Sequence, residues 1–346
     1  MIVRRAPTAD STSPRQGFAD LFLRLQPQMG ELDRFLRSQL GSFEPEIRGP
    51  VEYCLDVSGK RIRPALVFFS GWHAAERLTP ALVRAAAVVE MVHLATLVHD
   101  DIMDGADLRR NRPTVARRYG ADVAVLLGDA LLAHAVNVAA QFPSTEICQV
   151  VSDATRKVCA GEIAQTLRRG DPAVNLADYR RIIGLKTAEL FRLSCLLGGR
   201  LAGFEDGFVE AASAFGLRLG SAYQMYDDLA DFFGEEKRIG KTLGTDLSGG
   251  KVTLPTLVLL KKLPARERDE LLEEIRERRA PSLEGRRALM NAHGVFSEVA
   301  ECVRTELEAA AALLAPWAHL EPTPLLAQLL DLLQDQVNGL PNGAAS

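Results

Sequence analysis

Residues 85–104 read AAAVVEMVHLATLVHDDIMD: about four turns of mostly apolar residues, then three acids, Asp100, Asp101 and Asp104. A helix that is apolar almost all round has no face to offer water, so other helices must surround it. The stretch therefore dictates a bundle with this segment near its centre. Carboxylates at its C-terminal end, where the macrodipole disfavours anions, cost stability unless a cation compensates them.

Outward from that segment the chain keeps reading as helix. Apolar residues recur at spacings of three and four over 17–40, 46–57, 63–76, 80–104, 114–141, 144–168, 176–202, 207–234, 254–262, 265–278, 296–315 and 323–337. These segments are rich in Ala, Leu, Glu and Arg, and the period-2 alternation of strands is missing. Breaks fall at LTP (78–80), FPS (142–144), RGDP (169–172), GFEDG (203–207) and LPAR (263–266). No linker divides the chain, so the expected fold class is all-α, a single helical bundle over residues 17–337. Tails rich in Ser, Pro and Gly flank it at 1–16 and 338–346.

Of the 346 residues 47% are hydrophobic, enough for a sizeable core. A net charge of −4 with pI near 6.0 argues against nucleic acid as a partner, which needs a basic face. Cys54, Cys148, Cys159, Cys195 and Cys302 are scattered without CxxC spacing, so neither a disulfide framework nor a zinc site is indicated. They fit reduced core residues of a cytoplasmic protein. No run reaches about 18 uninterrupted apolar residues, which leaves at most peripheral membrane contact.

On a helix, residues four apart share a face about 5–6 Å apart, so Asp100 and Asp104 lie side by side while Asp101 points away. The stretch QMYDDLAD (224–231) repeats the pattern: Asp227 and Asp231 share a face, with Asp228 beside them. One such cluster reads as a solvated helix end. Two, each closing an apolar helix, read as a site. Hard oxygen donors in facing pairs suit Mg²⁺, which keeps part of its water and shares its shell with substrate phosphates. The cations that a diphosphate needs are at hand: Arg109 and Arg110 after the first cluster, Lys60, Arg61 and Arg63 in SGKRIRP, Lys186 beside Thr187 in GLKTAEL, and Lys241 and Lys251 in the Gly-rich GKTLGTDLSGGKVTLP (240–255). His93, seven residues before Asp100 and on nearly the same face, reads as a further substrate contact, whereas the other histidines read as core or surface residues. No Ser/His/Asp or Cys/His arrangement stands out.

The stretches LVHDDIMDGADLRRNRPTV, YQMYDDLADFFG, GKRIRP, LKTAEL and GKTLGTDLSGGKVTLP stand in the order and spacing of the signature motifs of trans-isoprenyl diphosphate synthases, the polyprenyl synthetases. The chain resembles this family over most of its length. The resemblance implies the isoprenoid synthase fold, a homodimer, and a prenyl transfer between isopentenyl diphosphate and an allylic diphosphate that needs three Mg²⁺ ions. Carried over residue by residue, Asp100 and Asp104 bind two ions and Asp227, with Asp228 and Asp231 in support, a third. Asp101 supports the first cluster from the side. Arg109, Lys186 and Lys241 contact the allylic diphosphate, with Lys251 in the same loop. Lys60, Arg63, His93 and Arg110 hold isopentenyl diphosphate, and Thr187 and Gln224 face the reacting carbons.

In this family the product grows along the helix that carries the first aspartates, and the side chains one turn before them act as its floor. Here they are Ala95 and Thr96, neither aromatic, with Val136 as the next level. The expected product is a long chain, roughly six to ten isoprene units. The alternatives are a farnesyl or geranylgeranyl diphosphate synthase, a terpene cyclase (against which DDLAD speaks), and a non-catalytic subunit of a heteromeric synthase, which would be expected to lack aspartates or lysines that are all present here.

Overall fold

A computed structural model describes residues 21–56, 59–73, 79–109, 111–236, 243–279 and 282–341. Its N-terminal half runs through α1 (Gln26–Ser38), α2 (Pro45–Leu55), α3 (Ile62–Ser70), α4 (Pro80–Met103), α5 (Val115–Tyr119), α6 (Ala121–Ala140) and α7 (Thr145–Leu167). Then follow α8 (Leu176–Ile183), α9 (Glu189–Leu201), α10 (Asp206–Phe233), α11 (Thr245–Ser248), α12 (Leu254–Lys262), α13 (Ala265–Arg276), α14 (Leu283–Ala292), α15 (Val295–Leu314) and α16 (Pro322–Asn338).

Helix α4 is the central element that its composition demands. The LTP break starts it: the Thr79 side chain accepts from Leu82 N, and Pro80 occupies the first turn, where no amide hydrogen is needed. Its buried residues, among them Val88, Met91, Val92 and Ala95, go round the whole cylinder. It packs mainly on α6, and also on α1, α3 and α9, while α10 packs on α9 and α15. By length and composition α4 and α6 could each cross a membrane, but 72% of the relevant stretch of α4 is buried inside the fold, as befits a core helix. Helix α6 is less covered and exposes Val123, Val125 and Leu126.

Local differences from the periodicity matter more than its successes. The expected 114–141 helix breaks at Gly120 (φ +95°), a conformation that L side chains rarely adopt, which divides α5 from α6. The expected 176–202 helix is interrupted by a π-helical turn, Gly184–Ala188. An extra residue in the helical ladder is invisible to a 3.6-residue pattern, and such bulges gather at functional sites. Between α4 and α5 the chain forms a two-residue hairpin, β1 (Leu108–Arg109) against β2 (Arg112–Pro113), with Asn111 in the left-handed region.

Close approach of α10 to the π turn depends on Gly220, where an added Cβ would lie 2.6 Å from the Ala188 Cα. Backbone cannot yield as a side-chain tip can. Replacement Gly220→Ala is therefore expected to cost about 1–3 kcal/mol, read as a lower denaturation midpoint at unchanged slope; unaltered stability would show that the two helices are free to separate.

Candidate active site

A cavity of about 840 Å³ is lined by residues of α3, α4, α6, α7, α8, the π turn, α9, α10 and the segment 245–253. Ile102, Val125, Val158 and Leu190 line it alongside Lys60, Arg63, His93, Asp100, Asp104, Arg109, Lys186, Thr187, Gln224, Asp227 and Lys251, so the expected site residues from distant segments do share one space.

The last turn of α4 distributes its three acids among different partners. Asp100 faces the cavity, and burial pushes its carboxyl up to about 6, with Glu162 and Asp104 adding to the rise and Lys186 and Arg109 pulling against it. Asp101 is buried and points away, as the helical angle requires. Its Oδ1 accepts from Nε and Nη2 of Arg109, each at 2.6 Å, across the hairpin. Burial raises the Asp101 carboxyl in spite of that partner. Asp104 accepts from Arg169 Nη2 at 2.7 Å and from Lys251 Nζ at 3.2 Å. Burial opposes its ionisation, but Lys251, Lys186 and Arg169 outweigh it and hold this carboxyl below its ordinary range.

The second cluster splits differently. Asp227 and Asp228 both line the cavity. Asp228 is buried and accepts from the Tyr179 hydroxyl at 2.6 Å and from Gln224 Nε2 at 2.8 Å. With its Nε2 given to Asp228, Gln224 turns its Oε1 to Thr187, whose hydroxyl donates to it at 2.7 Å. Burial, with Asp246 next, pushes the Asp228 carboxyl well up. Asp231, expected beside Asp227 as a metal ligand, is fully buried and falls outside the cavity lining. It accepts from Asp246 N at 3.1 Å and from the Thr245 hydroxyl at 3.3 Å, and so anchors the segment that carries Lys251. The last turn of α10 is covered by that segment, which is why the same i, i+4 spacing leaves only one of the two acids facing the cavity.

The π turn presents both Lys186 and Thr187. Lys186 pairs with Glu162 and donates to Gln165 Oε1 at 2.8 Å. Arg63 donates to His93 Nε2 at 3.0 Å and lies over the Phe191 ring, so His93, besides lining the cavity, holds a cation in place. Arg110 and Lys241 lie outside the described residues.

Of the residues expected to set product length, Thr96 lines the cavity, its hydroxyl donating to His93 O. Ala95 does not: it is 1% exposed, packed among neighbouring helices, and so is corrected from floor to core. Val136 is half-buried on α6 and is likewise outside the lining. Sequence reading passed over Glu162, Gln165, Arg169, Tyr179 and Asp246. The spacing of Cys159, Glu162 and Ile163 on α7 carried a faint signal of one face; Arg169, inside a stretch read only as a break, carried none.

Among the described residues no three His, Cys, Asp or Glu side chains converge as a ready-made metal cage. Asp100, Asp104, Asp227 and Asp246 instead border the cavity from the end of α4, from α10 and from the short helix α11. This donor set fits a hard divalent ion that completes its shell with water and phosphate oxygens.

A family profile described as polyprenyl synthetase matches residues 44–291. The chain belongs to the polyprenyl synthetase family. It is 34% identical over 235 residues to the octaprenyl diphosphate synthase of Haemophilus influenzae, which covers 67% of this chain and 70% of that one. To heptaprenyl diphosphate synthase component 2 of Bacillus subtilis it is 33% identical over 262 residues, 75% of each chain. The crystal structure of a polyprenyl synthase from Caulobacter crescentus, complexed with calcium and isoprenyl diphosphate, superposes with a TM-score of 0.86 at 28% identity, covering 95% of this chain and 99% of that one. This polyprenyl synthetase thus has the all-α isoprenoid synthase fold and is a prenyltransferase.

Burial of the ionised Asp100 has a measurable sign in the metal-free protein. A carboxyl raised to about 6 in the fold gives stability that is lost as pH rises through that value. Asp100→Asn carries no such charge, so it should be more stable than the unaltered chain by about 3 kcal/mol at pH 8, the gap closing as pH falls from 6 to 4. A gap that is constant with pH in thermal unfolding would contradict the burial of this charge.

Proposed function

We propose that the chain is a Mg²⁺-dependent trans-prenyltransferase that adds isopentenyl diphosphate repeatedly to an allylic diphosphate and releases a long polyprenyl diphosphate, as the octaprenyl and heptaprenyl relatives suggest. The observation that carries this reading is one cavity bordered by Asp100, Asp104 and Asp227 on one side of the charge balance and by Lys60, Arg63, Arg109, Lys186 and Lys251 on the other.

In this proposal Asp100 and Asp104 hold two ions and Asp227, with Asp246 in place of Asp231, a third. Bound there, Mg²⁺ neutralises charge on the departing diphosphate. Lys186, Arg109 and Lys241 grip the allylic diphosphate, while Lys60, Arg63, His93 and Arg110 grip isopentenyl diphosphate. As the allylic C1–O bond breaks, the leaving group departs with the electron pair. The isopentenyl C3–C4 double bond supplies the electrons of the new bond from C4 to C1, and a C2 proton passes to the released diphosphate. Thr187, whose hydroxyl hydrogen is committed to Gln224, turns its lone pairs toward the developing cation.

Thr96, which is not aromatic, lines the cavity one turn before Asp100, and this favours long products over the farnesyl or geranylgeranyl alternative. Retention of every expected aspartate and lysine favours a catalytic chain over a silent subunit. The exposed Val123 and Leu126 of α6, with Leu167 on α7, suit a second copy of the chain, and free cysteines suit a reducing cytoplasm.

Incubation with Mg²⁺, labelled isopentenyl diphosphate and each allylic primer in turn is expected to yield products longer than twenty carbons, and none with chelator; shorter products would sink the chain-length proposal, and no condensation the enzyme proposal. Thr96→Phe should shift the products several units shorter, seen by chromatography of the dephosphorylated alcohols, whereas Ala95→Phe should chiefly destabilise, by about 1–3 kcal/mol. An unchanged distribution from Thr96→Phe would place the growing chain elsewhere.

A further inference from the structure

We propose that Arg169 couples divalent-metal binding to diphosphate binding: while its guanidinium rests on Asp104, the substrate-free site disfavours an ion that it takes up together with a diphosphate. The inference rests on the metal role proposed for Asp104.

Both oxygens of Asp104 are engaged, Oδ1 by Arg169 Nη2 at 2.7 Å and Oδ2 by Lys251 Nζ at 3.2 Å. These cations are not free surface groups. The Arg169 and Lys251 side chains are only 15% and 10% exposed, and their backbones are tied together. Gly170 N donates to Gly250 O at 2.9 Å, and Arg278 Nη2 donates to the Arg169 carbonyl at 2.9 Å from the end of α13. A divalent ion approaching Asp104 alone would meet two fixed positive charges within a few ångströms, little screened by water. A diphosphate reverses that balance.

The two cations differ in what else they have. Lys251 keeps a second carboxylate, Asp246, at 3.6 Å. Arg169 has only a long bond from Nη1 to Met103 O, at 3.4 Å, and its Nε is buried with no hydrogen-bond partner among the described residues. A buried unused donor on a guanidinium is a position prepared for an anion. Arg169, which stands behind Asp104 just outside the cavity lining, is therefore the cation able to leave Asp104 when metal arrives and, with its guanidinium turned toward the cavity, to find phosphate oxygens as its new partners. This makes it a positioning residue whose effect is a coupling free energy between two ligands.

The test is Mn²⁺ binding to the full chain, by calorimetry or electron paramagnetic resonance, with and without inorganic diphosphate and corrected for the Mn²⁺–diphosphate complex. In the unaltered chain diphosphate should tighten Mn²⁺ binding at least tenfold. Arg169→Gln should tighten binding without diphosphate roughly tenfold and so shrink the coupling, Arg169→Lys should restore most of it, and Arg168→Gln, whose side chain pairs with Asp178 instead, should leave it as it is. Absence of Mn²⁺ binding in the unaltered chain even with diphosphate would refute the metal site itself. Given binding, the role of Arg169 is overturned by equal affinity with and without diphosphate in the unaltered chain, which can be measured even if Arg169→Gln fails to fold, by unchanged coupling in Arg169→Gln, or by an equal shift in Arg168→Gln.

Discussion

Carboxylates at the end of a buried helix have to be compensated, and the site of this polyprenyl synthetase is organised around that requirement. Helix α4 enters the core with no polar face and leaves it on Asp100, Asp101 and Asp104. Each acid draws charge from a different part of the chain: the hairpin brings Arg109 to Asp101, the turn after α7 brings Arg169 to Asp104, the loop before α12 brings Lys251 to the same carboxylate, and the π turn brings Lys186 close enough to favour the charged form of Asp100. Elements that look irregular in the fold are the ones that deliver cations.

The two aspartate clusters are alike in sequence and unlike in use. Burial decides the difference. In the second, Asp227 and Asp228 both border the cavity, but Asp228 is engaged in orienting Gln224 and through it Thr187, and Asp231 fastens the segment that carries Lys251. A carboxylate that receives two or three well-formed hydrogen bonds inside the protein gains more from holding its neighbours than from meeting an ion. Metal affinity then rests on the few acids left facing the cavity, supplemented by substrate oxygens.

The same distinction applies to the apolar wall. Ala95 and Thr96 are neighbours on α4, but a step of about 100° turns one into the packed core and the other toward the cavity. Small residues on a central helix serve close packing by default, and only the position of the surrounding helices tells which of them is also a wall.

Sequence by itself determined the bundle, the centrality of α4 and the set of charged motifs, because helical periodicity and the cost of burying polar groups act locally and leave regular marks. It also carried the family, through five motifs whose order no single helix requires. Tertiary structure alone decided that both acids of the first i, i+4 pair but only Asp227 of the second meet the cavity, that 184–188 is a π turn, that Glu162 and Asp246 line the cavity, and that Arg169 and Tyr179 stand behind it on Asp104 and Asp228. Those facts depend on distances between segments tens of residues apart, and the electrostatics of a carboxylate depends on whatever lies within a few ångströms, whichever part of the chain it comes from.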